Sequence, residues 1–353
     1  MLAELVDHVV GVDPDRDRVT AAVVCARTQG EIDRIEVRAC PAGYAELVEW
    51  ADHHSAADRR VWSVEGAGSY GAGLAATLQA AGEWVAEFDR PATRPARDGA
   101  KSDGLDALRA ARELLGRARW AQPRARGARE GLRAVLVARS SAEGARTAAI
   151  NALKALIVTA PVALREELRD LTRPELIARC GRFRPPSGAV DELNATRLAM
   201  RTLARRVAAL DAEMAALTDA LNALVTHHTP ALLDELGVGP VTAAQAIVSW
   251  SHPGRCRNDG AYARLAGAAP IEATSGQRQN RHRLNRGGDR QLNRALHTIV
   301  ITRLRVDPTT RAYIERRVAQ GKTPREARRC LKRYIARRLF RLLETTHQPL
   351  DTT

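Results

Sequence analysis

Aromatic side chains are scarce: Phe, Trp and Tyr together make up 4% of the 353 residues. Any nucleic-acid partner is therefore expected to be held mainly through phosphate contacts, with base stacking secondary. Cysteine is equally thin. The five cysteines (Cys25, Cys40, Cys180, Cys256 and Cys330) are scattered, odd in number and without CxxC spacing. A disulfide framework and a structural zinc site are thereby excluded, and a reducing cytoplasm fits. No apolar run approaches the ~20 residues of a membrane span. The start of the chain, MLAELVDHVVGVD, lacks a basic segment followed by an apolar core, so neither a signal peptide nor a membrane partner is expected. Apolar content is not lacking: at 45% it is ordinary for globular proteins. At roughly 100–200 residues per domain, two or three domains are expected.

Basic residues are abundant, with 55 Lys plus Arg against 41 Asp plus Glu, a net +14. Residues 251–353 hold 23 of the basic and 8 of the acidic residues, a local +15, which leaves residues 1–250 at −1. The excess is mostly Arg, which suits bidentate contacts to phosphate and base edges better than Lys. A polyanionic partner is implied, and it belongs to the C-terminal third.

The chain reads as α/β followed by all-α. HVVGVD, Val19–Ala26 and Ile32–Cys40 are strands separated by the turn-like DPDRD and TQGE. Gly43–His54 reads as a helix, Val61–Glu65 as a strand, Ser69–Ala81 as a helix and Trp84–Phe88 as a strand. A proline- and glycine-punctuated loop leads to a helix from Ser102 to about Leu115. The order β-β-β-α-β-α-β-α predicts a mixed sheet with helices on its faces, over residues 1–124. Residues 125–228 read as a coiled-coil linker, with helices over 125–158 and 191–226 around the loop GRFRPPSG. Leu193, Met200, Leu203, Val207, Leu210, Met214, Leu217, Leu221 and Leu224 follow alternating three- and four-residue spacing over most of that length, a heptad seam. It can pair within one chain or with a second copy; the sequence leaves both open, and a homodimer or homotetramer is expected.

Residues 229–353 form a basic, mostly helical domain. LGVGPVTAAQAIVSW predicts helix, turn and helix, similar to a helix-hairpin-helix, with Gly237 and Gly239 offering backbone N–H groups to phosphate. Ala261–Ala268 reads as a short helix, Pro270–Gly288 as a polar loop or hairpin, and Arg290–Arg305 and Thr323–Leu343 as basic helices. Trp62, Trp84 and Trp250 are expected in the core. Arg278, Arg281, Arg283, Arg286, Arg290 and Arg294 are expected to line a nucleic-acid cradle.

Four acids share a logic. Asp13 and Glu65 end strands, and Asp103 and Asp106 lie at i, i+3 on the first turn of a helix. Converging carboxylate oxygens are what a pair of divalent cations requires. On this frame they form the pattern of RNase H-like nucleases.

GVDPDRDRVTAAV, VWSVEGAGSYG and RPARDGAKSDGLDALRAAR resemble the RuvC-like DEDD domain of insertion-sequence transposases of the IS-one-ten family. LGVGPVTAAQAIVSW and YARLAGAAPIEATSGQRQNRHRLNRGGDRQLNRALHTIVI look like the second domain of that family, in the family's order. The resemblance implies a DNA transposase acting on double-stranded DNA, in a bacterial, nucleoid-associated setting. Asp13, Glu65, Asp103 and Asp106 would hold Mg²⁺ or Mn²⁺. Ser275, followed by Gly276 as in the family's Ser-Gly motif, would attack the DNA phosphate, and a noncoding bridge RNA would guide the reaction. Two departures stand out: Arg286 precedes Gly287 and Gly288 where Lys is common, and Asn293 replaces a common Arg. No Ser-His-Asp arrangement is readable around Ser275, so metal activation is the expected route. Two rivals remain at this level: a junction resolvase or nuclease using water, and an inactive nucleic-acid scaffold.

Overall fold

The computed structural model describes residues 2–88, 103–117, 120–184, 186, 188, 191–272, 282–283, 285 and 287–346. The chain divides into two compact units, Met1–Arg126 and Gly127–Thr353.

The first unit opens with α1 (Leu2–Leu5) and the strands β1 (His8–Pro14), β2 (Arg18–Cys25) and β3 (Glu31–Arg38). It continues through α2 (Pro41–Asp52), β4 (Arg60–Glu65), α3 (Ala72–Ala80), β5 (Val85–Phe88) and α4 (Asp103–Leu115). The five strands form one mixed sheet in the order β3-β2-β1-β4-β5. β1, β2 and β3 pair antiparallel, whereas β4 is parallel to both β1 and β5. Short turns can join the antiparallel strands, while the parallel pairs need the longer crossovers that α2 and α3 supply. The valine-rich β1 is buried on both faces. Val10, Val12, Trp62 and Val64 pack with Leu47, Leu74 and Leu78 of α2 and α3. Val9 and Val61 face the other way, into Leu108, Ala111, Leu114 and Leu115 of α4. This is the expected RNase H-like mixed sheet with helices on both faces. Trp84 departs from expectation: it is 47% exposed, while Trp62 and Trp250 are buried. It precedes the edge strand β5, and its carbonyl accepts from the Trp62 N–H.

The second unit begins with α5 (Ala128–Thr159), α6 (Val162–Leu168), α7 (Arg173–Gly181) and α8 (Glu192–His228). α9 (Pro240–Trp250), α10 (Asp259–Leu265), the short pair β6 (Ile271–Glu272) and β7 (His282–Arg283), α11 (Arg290–Val306), α12 (Pro308–Ala319) and α13 (Pro324–Thr346) follow. α6, α7 and α12 are helices beyond those expected from the sequence. α6 buries Leu164 and Leu168, α7 buries Leu176 and Cys180, and α12 buries Thr310 with no fully buried apolar side chain, so their apolar patterns are weak.

α5 and α8 form an antiparallel hairpin, so the heptad seam is used within the chain. Arg139 Nε donates to Thr218 Oγ1 at 2.9 Å, and Arg146 pairs with Asp211. Met200, Val207 and Leu221 are fully buried, whereas Leu210, Met214 and Leu217 in between are only half-buried. α6 and α7 close one end through Leu164, Leu168 and Leu176, packed on Leu153, Ile157 and Met200. At the other end Leu132, Leu221 and Val225 merge with the core of α9, α10, α11 and α13, which is built around Trp250, Tyr262, Leu296 and Leu339. Among the described residues no helix is long and apolar enough to cross a membrane.

Candidate active site and nucleic-acid interface

The registered pairing of β1 with β4 runs to Val12 opposite Val64, so the next residues of the two strands are Asp13 and Glu65. Side chains alternate faces along a strand. Val10, Val12, Trp62 and Val64 face α2 and α3, so Asp13 and Glu65 belong to the α4 face with Val9, Gly11, Val61 and Ser63. Both acids are partly buried.

α4 delivers the other two acids to the same end of the sheet. Its C-terminal residues Leu114 and Leu115 share an apolar cluster with Val9, while Ala107 and Ala111 lie over Gly11. The helix therefore runs antiparallel to β1, and its first turn, bearing Asp103 and Asp106, lies at the end where Asp13 and Glu65 sit. A Cβ on Gly11 would collide with the Ala107 carbonyl and come within 2.7 Å of the Ala111 nitrogen. Ser63, buried beside it on β4, donates to the Ala110 carbonyl at 2.8 Å. Glycine inside a strand thus marks close backbone approach. Gly11→Val is expected to push α4 off the sheet and destabilise the chain by at least about 1–3 kcal/mol. Denaturant unfolding checks this; unchanged stability would mean that the helix does not sit on Gly11.

Sequence reasoning missed Arg34. On β3 it is held by Glu31, with Nε donating at 2.8 Å. A Cβ on Gly104 would overlap the Arg34 guanidinium, with Nε at 3.0 Å. A positive charge thus lies against the first turn of α4 at Gly104, between Asp103 and Asp106 in the sequence. The available signal was Gly104 within a helix start, a position where Ala would otherwise be preferred.

Asp106 is oriented by Arg109, whose Nη1 lies 2.9 Å from Asp106 Oδ1. The side chain of Asp103 lies outside the described residues. Among the described residues, no three of His, Cys, Asp and Glu are gathered as a metal cage. The donor set suits a hard divalent cation nonetheless, because carboxylates on two adjacent strands and one helix turn can converge from separate parts of the chain.

In the second unit Ser275, Arg278, Arg281 and Arg286 lie outside the described residues, and so does the side chain of Arg283. Arg290 is exposed on the first turn of α11. Arg294, with Arg133 and Arg139, lines a groove of about 640 Å³ between α5, α9 and the start of α11, together with Ser140, Gln245 and Thr298. The groove can present guanidinium and hydroxyl donors together. Part of its charge is already met: Arg294 Nη2 pairs with Glu143 at 2.7 Å, and Arg133 with Glu130 at 2.6 Å.

The turn before α9 is packed and hydrogen-bonded within the second unit. Gly237, at φ +77°, packs against α11, where a Cβ would stand 3.1 Å from the Ile299 carbonyl. Arg303 Nε donates to the Leu236 carbonyl at 2.6 Å. The Val238 N–H bonds to Glu235, and the Gly239 N–H to Thr242 Oγ1 at 2.9 Å, so these two donors are engaged internally. Close packing on α11 accounts for Gly237.

The described residues on either side of the stretch that contains Ser275 are tied to one another. Asp289 caps α11, its Oδ1 accepting from Gln291 and Leu292, and its Oδ2 accepting from the Ser249 hydroxyl at 2.6 Å. The Asp289 N–H bonds to the Leu265 carbonyl at 2.7 Å. Asn293, the departure from the family pattern, donates to the Ala266 carbonyl at 2.6 Å and accepts from Lys332 Nζ at 3.0 Å. Both flanks of the segment thus meet at the end of α10. Asp289→Ala is expected to cost about 1–2 kcal/mol in urea unfolding, with most of it recovered in Asp289→Ser, as a helix cap requires. No loss in the alanine variant would remove this anchor.

Two families match the chain. Residues 10–160 match the DEDD transposase domain of IS110 type, described as "Transposase". Residues 231–315 match the "Transposase IS116/IS110/IS902 family". A relative from Streptomyces coelicolor, "Insertion element IS110 uncharacterized 43.6 kDa protein", is 32% identical over 161 residues. That stretch is 45% of this chain and 38% of the relative, so the chain spans well under half of that curated protein. With the DEDD domain first, on an RNase H-like mixed sheet, and the second transposase domain after it in a mostly helical region, the chain is similar to IS110-type transposases in both matched domains and in their order.

Proposed function

We propose that the protein is a DNA transposase that cuts and rejoins strands by attack of Ser275 on a DNA phosphate, with Asp13, Glu65, Asp103 and Asp106 holding Mg²⁺ or Mn²⁺. One observation carries this reading: Asp13 and Glu65 stand side by side on parallel strands, on the face covered by α4, whose first turn brings Asp103 and Asp106. Divalent metal bound by these carboxylates would stabilise charge on the reacting phosphate and acidify the attacking oxygen. The Ser275 oxygen forms a new ester to phosphorus, one bridging P–O bond breaks, and the displaced strand oxygen takes up the proton that the serine gives up. The phosphodiester energy is kept in the phosphoserine link, so the reverse attack can rejoin strands without ATP.

The basic second unit holds the DNA and a bridge RNA. Arg290, Arg294 and the groove beside them support that assignment, as do Arg278, Arg281, Arg283 and Arg286 by charge. The half-buried Leu210, Met214 and Leu217 support a second copy of the chain against the hairpin.

The test uses the full chain with DNA carrying the ends that flank its own gene, plus RNA transcribed from the adjoining noncoding region. A denaturing gel should show a covalent protein–DNA species with Mg²⁺ or Mn²⁺ and none with EDTA. Nicking without the adduct would favour a nuclease that uses water, and no cleavage with either metal would overturn the enzymatic reading.

A further inference from the structure

Helix α13 lies beyond residue 315, where the second family match ends. It packs on the core with Ala327, Leu331, Ile335 and Leu339 and turns a basic face outward. α12 and α13 together carry 11 Arg plus Lys against 3 Glu. Arg325, Arg329 and Arg333 are exposed, and no ion pair within 4 Å joins them to the described residues. Within this face stands a large aromatic ring that contributes little to the core: Tyr334 is 57% exposed.

Tyr334 is nevertheless held in place. Its ring meets Tyr313 of α12 edge to face, with centroids 6.2 Å apart and planes at 86°. The Arg316 guanidinium lies 5.6 Å from the centre of the Tyr313 ring. Arg317 and Arg337 are near enough to Tyr334 to interact with it electrostatically. Arg337, Arg338 and Arg341 follow it one and two turns along the same helix face. Asp259 and Glu235 anchor these three arginines, two acids to three bases, which fixes the guanidinium groups and leaves the surface positive. An edge-to-face pair leaves ring surface of Tyr334 open.

A flat, supported, exposed ring within a dense positive field is what a base needs after leaving its stack: a π surface beneath it and cations for the flanking phosphates. At the core of a protein–protein interface such an aromatic would sit in a largely apolar patch, and here its surroundings are charged. We propose that Tyr334, supported by Tyr313 and flanked by Arg317 and Arg337, is a stacking platform for an unpaired nucleobase of a single-stranded segment of the bound nucleic acid. The proposal rests on the nucleic-acid-binding part of the function above, and requires neither the acids nor Ser275.

The test places 2-aminopurine in single-stranded DNA and in RNA of equivalent sequence, and titrates each with the full chain in EDTA. Stacking quenches the probe. Wild-type protein should quench at least one strand, and whichever is quenched identifies the source of the base. Tyr334→Ala should abolish the quench and weaken that strand's binding roughly tenfold, the range of base–aromatic stacking. Tyr334→Phe and Tyr334→Trp should retain both. Binding of a fully paired duplex should change less than about twofold, since there is no free base to stack. Circular dichroism of Tyr334→Ala verifies folding. Equal quenching by wild type and Tyr334→Ala overturns the platform, as does a Tyr334→Ala effect on sedimentation with none on quenching, which would make the ring a contact between copies. Binding of no strand or duplex would instead overturn the nucleic-acid reading beneath it.

Discussion

Asp13→Asn is expected to lower metal-dependent strand cleavage by roughly a thousandfold or more, while leaving DNA binding in EDTA within about twofold of wild type. The substitution keeps the shape of the side chain and removes its charge. Cation stabilisation of a reacting phosphate is worth several kcal/mol, and each 1.36 kcal/mol is tenfold in rate. Asp13 ends the central strand β1, level with Glu65 on β4, so Glu65→Gln should behave alike. The two losses should not add, because carboxylates serving the same ions act as a unit. Single-turnover cleavage of labelled DNA in Mg²⁺ measures the effect. Activity within tenfold of wild type in either variant would sink the assignment of these acids.

Ser275→Ala is expected to eliminate the covalent protein–DNA species, a loss of roughly 10⁴-fold or more in strand exchange. The base of its segment is fixed by Asp289, Asn293 and the α10 end, so removal of one hydroxyl leaves that anchoring intact. Stability and DNA affinity should therefore hold. The variant also separates the two enzymatic readings. An enzyme that uses water would continue to nick DNA after Ser275→Ala at an unchanged rate, with the same dependence on Asp13. A transposase using the serine would lose both adduct and joined product while Asp13→Asn loses them too.

Much of the first unit was legible because its signals are local. Strands ending in acids, HVVGVD and Val61–Glu65, announced the two carboxylates, and the spacing of Asp103 and Asp106 placed them on one helical face. The register of β1 on β4 was not legible, since pairing between residues about fifty positions apart leaves no local mark. Gly11 and Gly104 looked like weak points in a strand and a helix. In the fold they are clearances, one for the α4 backbone and one for Arg34. The glycine turn over Gly237 and Gly239 was legible as a turn, but not that Gly237 packs on α11 and that the Gly239 N–H bonds to Thr242. Trp84 read as core because large aromatics usually are, and burial depends on which strand becomes the edge.

By itself the sequence determined the periodicities, the segregation of positive charge into residues 251–353 and the acids available for metal, because these follow from side-chain type and spacing along the chain. Only the tertiary structure decided that the heptads of α8 close on α5 of the same chain, that α4 runs antiparallel to β1 so that its first turn reaches the acidic end of the sheet, and that Tyr334 is supported yet exposed. The physical reason is common to all three. A repeat pattern specifies that a face must be covered, and the covering partner is chosen by packing between segments far apart in the chain.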